Sequence, residues 1–267
     1  MVWAALTGYN LSMDYTQLSW FSILVGVSAA LGLWWSWWRM GEDPRRFAGS
    51  SIQSRRSVLI PAAFVLLAGG LIGARIAFVF LHWSYYQFHT PEIGRVWEGG
   101  LDWTGAPLGA AILFLLFAGW KNLSPIEICE DLAPLWLILV TALWVGCGFS
   151  GMYYGISLPS VRWLPALVDV SGEFAPRLPL AWIGVLVTIL TGILADWLAD
   201  HRKIRIFHFG WMFAVQMGML LWFSFVRVDP VAPLGGVASD RLAAGVYLGV
   251  ILVLLAVQWF QRHRRSR

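Results

Sequence analysis

One arginine, Arg75, lies within a long apolar stretch of the sequence and is the first candidate for chemistry. An ionised side chain at membrane depth is costly, so it usually has a partner or a function. A guanidinium group matches phosphate oxygens with two parallel hydrogen bonds, which makes Arg75 a candidate to hold a lipid phosphate. A buried ion pair with Asp102 or another acid explains the residue equally well. Gly69 and Gly73, four residues apart, predict close packing of this stretch against another helix.

A second cluster spans residues 95–109, where glycines and a proline lead directly into another apolar stretch. Gly99 and Gly100 permit positive φ and the close approach of a ligand. Asp102 is predicted to cap the following helix by accepting a hydrogen bond from its first turn. That helix N-terminus attracts anions, and Glu98 lies beside it in the sequence. From composition alone, a tight turn with a capping Asp102 is the favoured interpretation.

Two further segments contain candidates. The run 146–155 is rich in glycine, which a membrane protein tolerates where the backbone lines a cavity or is buried. It includes Tyr153 and Gly155. Arg227 and Asp229 follow another apolar stretch, and pairing of these two at the membrane interface is the simpler interpretation.

The composition excludes several classes of protein. Of 267 residues, 58% are hydrophobic and 13% are charged, and the mean hydropathy is +0.67. Soluble domains carry about 25% charged residues. Intrinsic disorder, nucleic-acid binding and an ordinary cytosolic enzyme are therefore excluded. The two cysteines form neither a disulfide framework nor a zinc site, and no metal or nucleotide motif occurs, so no metal and no cofactor are predicted.

Seven apolar stretches are long enough to cross a bilayer. Lysine and arginine are concentrated in alternate loops, such as the predicted loop 39–57 with Arg56. The positive-inside rule then predicts an outer N-terminus and a cytoplasmic C-terminus. The sequence thus predicts an all-α, polytopic protein with one integral membrane domain over residues 1–267. The expected spans are about 17–38, 58–83, 102–120, 131–150, 179–199, 209–226 and 241–261.

Taken in order, these segments resemble the prolipoprotein diacylglyceryl transferases of bacteria. The residues that carry the resemblance are Gly73-Ala74-Arg75, the run from Pro91 to Leu101 with Gly105 and Gly109 after it, Asp131 to Leu135, Tyr154-Gly155, and Arg227. The resemblance implies a multi-pass protein of the bacterial plasma membrane. It also implies an activity, the transfer of a diacylglyceryl group from phosphatidylglycerol to the lipobox cysteine of a lipoprotein precursor.

The sequence departs from the family pattern at positions where that pattern has titratable or polar groups. Thr104 stands at the family's histidine, and Ser19 and Phe21 stand at a histidine and a tyrosine of its first span. The other departures are Trp144 and Leu220 for arginines, Cys147 for an asparagine, and Met152 and Ser224 for glutamates. We therefore expect impaired catalysis with retained binding of a phosphatidylglycerol-like lipid. The expected phosphate-binding residues are Arg75, Arg227, Glu98, Asp102, Gly99, Gly100, Tyr153 and Gly155. Two alternatives stay open: transfer that uses some of these groups, and a structural or accessory subunit of a membrane complex.

Overall fold

Helices dominate the computed structural model, which describes residues 15–42, 52–151, 153–161, 164–168, 174–202, 208–228, 233–234 and 237–265. The helices are α1 (Tyr15–Glu42), α2 (Ile52–Leu81), α3 (Trp83–Tyr86), α4 (Ala106–Lys121), α5 (Pro125–Asp131), α6 (Ala133–Phe149), α7 (Leu180–Arg202), α8 (His208–Val226) and α9 (Ser239–Arg265). Three short 3-10 turns, Thr90–Glu92, Val96–Glu98 and Trp103–Gly105, connect α3 to α4.

Two small antiparallel ribbons lie in the connections. Strand β1 (Ala166–Val168) pairs with β2 (Phe174–Pro176), and β3 (Pro233–Leu234) pairs with β4 (Val237–Ala238). With only two or three residues in each strand, these ribbons leave the predicted all-α class intact.

Among the described residues, five helical segments are long and apolar enough to cross a membrane, and the broken pair α5 and α6 adds a sixth if it is one span. The five are Arg56–Leu81, Trp103–Lys121, Leu180–Leu198, His208–Val226 and Ser239–Gln261. A polytopic helical protein is thus confirmed, and α1 covers the first predicted stretch. The count of seven spans and the orientation stay predictions. The helices extend into the predicted loop 39–57, since α1 continues to Glu42 and α2 begins at Ile52.

The contacts divide the chain into two compact units. One, called here the Arg75 unit, comprises Leu33–Ala133 and Ala232–Ala243. The other, the Arg227 unit, comprises Met1–Gly32, Pro134–Val231 and Ala244–Arg267. A single domain over residues 1–267 stays a prediction.

In the Arg75 unit, glycines bring the backbones of α2 and α4 into direct contact. A methyl group added at Gly69 would lie 2.7 Å from the carbonyl oxygen of Gly109, and one added at Gly109 would lie 2.6 Å from Cα of Gly73. A methyl group at Gly105 would collide with Gly73 as well. The close helix packing predicted from Gly69 and Gly73 is therefore confirmed, and its partner is α4.

In the Arg227 unit, tryptophan rings pack directly against glycines of the neighbouring helix. A methyl group at Gly184 of α7 would meet the ring of Trp144 of α6, and one at Gly148 would lie 2.8 Å from the ring of Trp182. A buried hydrogen bond of 3.2 Å joins the side chains of Thr188 and Gln216, and so links α7 to α8.

Gly109→Ala should destabilise the protein, because the added methyl group meets backbone atoms that cannot rotate away. Overpacking of this kind typically costs about 1–3 kcal/mol. Gly119→Ala is the matched control, since nothing lies within 4 Å of a methyl group there and the same helix contains it. Thermal denaturation in detergent should show a lower midpoint for Gly109→Ala alone. Equal midpoints would contradict the glycine contact.

Candidate functional site

The side chain of Arg75 is buried, with 7% of its surface exposed, and it is bound by backbone carbonyls. Its Nε donates to the carbonyl oxygen of Ile93 at 2.8 Å, and Nη2 donates to that of Glu92 at 2.6 Å. Nη1 donates to the carbonyls of Gly99 and Gly100 at 2.8 and 2.9 Å. Four of its five N–H donors are thereby used, and the alternative of an ion pair with Asp102 is not what the structure contains.

The backbone of residues 92–100 adopts the conformation that is needed to bring these four carbonyls to Arg75. Gly99 and Gly100 have φ values of +88° and +74°, which glycine adopts without strain. A methyl group at Gly100 would lie 2.6 Å from Nη1 of Arg75 and 2.7 Å from the ring of Phe78. The close approach predicted for a glycine is therefore made here by the protein's own guanidinium.

Aromatic rings enclose the same guanidinium. Its central carbon lies 5.4 Å from the ring centre of Tyr86 and 6.0 Å from that of Phe78. The neighbouring Tyr85 donates through its hydroxyl to the Glu92 carboxylate at 2.8 Å. These contacts fix the segment that supplies two of the four carbonyls.

Asp102 has the capping role predicted for it. It precedes the 3-10 turn that opens α4, and its Oδ1 accepts a hydrogen bond of 2.9 Å from the Thr104 amide. The Thr104 hydroxyl donates to the same oxygen. The Asp102 amide donates to the Ala74 carbonyl at 3.0 Å, which ties the loop to α2 beside Arg75. The side chain of Glu98 lies outside the described part of the chain.

The Arg227 unit holds a second set of candidates, organised by the segment 153–157. Gly155 and Arg227 form an antiparallel bridge, and Ser157 and Arg177 form another. The Gly155 amide donates to the Leu178 carbonyl at 2.9 Å. One extended segment is thus bonded to the backbone at both Arg177 and Arg227.

Each of these arginines lies over a tyrosine of the same segment. The Arg227 guanidinium is 4.2 Å from the ring centre of Tyr153, and that of Arg177 is 5.4 Å from the ring centre of Tyr154. Tyr153 has a φ of +65°, an uncommon value for a residue with a side chain. Arg177 is 4% exposed, and the sequence analysis missed it. The two adjacent tyrosines, Tyr153 and Tyr154, were the signal available in the sequence. Each ring can bind one cation, and Arg227 accounts for only one of them.

Two of the positions expected to depart from the family pattern hold packed apolar groups. Trp144 is 6% exposed, and its ring contacts those of Tyr153 and Phe223 edge-on at 5.1 and 5.6 Å. Leu220 is buried too. The hydroxyl of Ser224 donates to the Leu221 carbonyl. Met152 lies outside the described residues.

The predicted site residues therefore fall into two groups. Arg75, Gly99, Gly100 and Asp102 belong to the Arg75 unit, whereas Tyr153, Gly155 and Arg227 belong to the Arg227 unit. Whether the two groups share one region, and whether any of these residues binds a lipid phosphate, stay predictions. Asp229, the expected partner of Arg227, lies outside the described residues. Within the described ranges no cluster of three or more His, Cys, Asp or Glu side chains could hold a metal ion.

Arg75→Lys should loosen the loop 92–100, because one ammonium group cannot reach four carbonyls in different directions. Hydrogen bonds to charged groups contribute roughly 1.5–3 kcal/mol each, so a loss of about 3 kcal/mol in unfolding free energy is expected. Arg95→Lys is the control, since Arg95 is an exposed residue of the same loop. Hydrogen exchange of residues 92–101 should accelerate in the Arg75 variant only. Unchanged exchange would contradict the carbonyl cage, by which we mean the four backbone carbonyls of Glu92, Ile93, Gly99 and Gly100 that bind Arg75. Arg56, which the sequence placed in a loop, lies in α2 and stacks on Trp37.

Comparison with known proteins identifies the family to which the sequence is similar. A family model described as prolipoprotein diacylglyceryl transferase matches residues 10–261. A phosphatidylglycerol–prolipoprotein diacylglyceryl transferase of Lactococcus lactis subsp. lactis is 24% identical over 273 residues, covering 98% of this chain and 97% of that protein. One of Symbiobacterium thermophilum is 30% identical over 256 residues, covering 92% and 90%. The chain therefore belongs to the prolipoprotein diacylglyceryl transferase family of membrane proteins.

Proposed function

We propose that this chain is a phospholipid-binding member of the family whose own transfer activity is impaired. It acts in the bacterial plasma membrane, with seven spans, an outer N-terminus and a cytoplasmic C-terminus. The observation that carries the proposal is the contrast within the Arg227 unit. Two arginines lie on the faces of Tyr153 and Tyr154, whereas the neighbouring position Trp144 is a packed indole.

Retained lipid binding is supported by the setting of Arg227. Arg227 is half-buried and its guanidinium rests on the ring of Tyr153, so it places a positive charge where an oxygen anion would be attracted. Arg177, bonded to the same backbone segment, adds a second positive charge. The phosphate of phosphatidylglycerol carries the complementary charge. Arg75 contributes by shaping its loop, because most of its donors are already used.

Impaired transfer follows from what the reaction requires. In the family reaction a thiol sulfur attacks a glyceryl carbon, the carbon–oxygen bond to phosphate breaks, and glycerol phosphate leaves. A base must accept the thiol proton, and cations must stabilise the departing phosphate. Thr104 cannot accept that proton near pH 7, and its hydroxyl donates to Asp102. Trp144 and Leu220 carry no charge, so binding proceeds without matching stabilisation of the transition state.

Purified protein incubated with labelled phosphatidylglycerol and a lipobox peptide tests this function. We expect lipid to co-purify with the chain and no thioether product to form, while the Lactococcus lactis relative supplies the positive control. Arg227→Gln should reduce the retained lipid severalfold. Thr104→His alone should restore no transfer, because the missing groups act as a set.

Two results would contradict the proposal. Thioether formation at a rate comparable to the relative would show that other groups perform the chemistry. Absence of bound lipid in the unaltered chain, with the fold intact, would exclude retained binding and favour an accessory subunit.

A further inference from the structure

We propose a second phospholipid site, formed by Arg56 and Trp37, which binds the phosphate of an anionic headgroup where α1 ends and α2 begins. It goes beyond the proposed function, since it involves neither Arg227 nor the loop around Arg75. Arg56 and Arg75 are 19 residues apart in one helix, which corresponds to about 28 Å along its axis. One phosphate cannot contact both.

The guanidinium of Arg56 is held in place by α1. Its central carbon lies 4.2 Å from the ring centre of Trp37, and its Nη2 donates to the Trp37 carbonyl at 3.3 Å. That carbonyl is the one acceptor that the described residues supply to Arg56, and its buried Nε has none among them. An arginine fixed on an aromatic face with donors to spare is organised in advance for a phosphate.

The surroundings favour a lipid over a soluble anion. Arg56 is the first residue of an apolar span that continues to Leu81, so it lies at the boundary of the apolar layer. Trp37 is 46% exposed, and the nearby rings of Trp34 and Trp38 are also exposed. Indole rings prefer this depth of a bilayer. A ligand that combines a phosphate with acyl chains can contact the guanidinium and the indoles together.

The local charge selects an anion. Arg39 lies in the last turn of α1, and the N-terminus of α2 begins four residues before Arg56. The first turn of a helix carries a partial positive charge that adds to the charge of the Arg56 guanidinium. A net negative headgroup such as that of phosphatidylglycerol is therefore preferred to a neutral lipid.

The test is native mass spectrometry of the full chain in detergent, titrated with phosphatidylglycerol, with diacylglycerol or with inorganic phosphate. Arg227→Gln serves as the background, so that loss of the site proposed above is separated from loss of this one. Adding Arg56→Gln should weaken the remaining phosphatidylglycerol binding at least threefold. Adding Arg264→Gln, which removes an exposed arginine of α9, should leave it unchanged. Diacylglycerol should bind equally to all variants.

Trp37→Leu provides a second variant, which keeps every charge but removes the aromatic face. It should weaken phosphatidylglycerol binding as Arg56→Gln does. Unchanged binding in both variants would overturn the proposal. Inorganic phosphate that competes with the lipid at equal concentration would also overturn it, because the site would then be one for a free anion.

Discussion

The burial of one positive charge constrains the whole Arg75 unit. Arg75 lies on α2, two residues after Gly73, where glycines bring α4 within backbone contact. An isolated guanidinium in apolar surroundings would be unstable. The chain between α3 and α4 resolves this by turning back and presenting four carbonyls, and the Asp102 amide anchors the return to Ala74. That path requires positive φ angles at residues 99 and 100, which glycine adopts without strain.

In the Arg227 unit, the arginines contact aromatic rings. Arg177 and Arg227 lie over tyrosine rings, and their own backbones hold the segment that carries those rings. A ring face attracts a cation electrostatically, whereas the carbonyls around Arg75 accept hydrogen bonds from four of its N–H groups. Lipid binding by the two arginines of the Arg227 unit stays our proposal, whereas the hydrogen bonds of Arg75 shape its loop.

Local signals in the sequence were sufficient for part of this structure. The spacing of Gly69 and Gly73 predicted a close helix contact, and Asp102 before an apolar stretch predicted a cap. The partners of Arg75 could not be predicted, because backbone carbonyls have no residue signature and any segment can supply them. Arg177 was missed for a related reason: only folding brings it to Tyr154. Arg56 was assigned to a loop because its charge, next to other arginines, obscured the start of α2.

The most direct test of the carbonyl cage is a solid-state NMR distance measurement in lipid bilayers. Arginine side chains labelled with ¹⁵N and glycine carbonyls labelled with ¹³C should show strong dipolar dephasing, because Nη1 of Arg75 binds two glycine carbonyls. The part of that dephasing due to Arg75 should disappear in Arg75→Lys and persist in Arg95→Lys. Identical dephasing in the unaltered chain and Arg75→Lys would contradict the account.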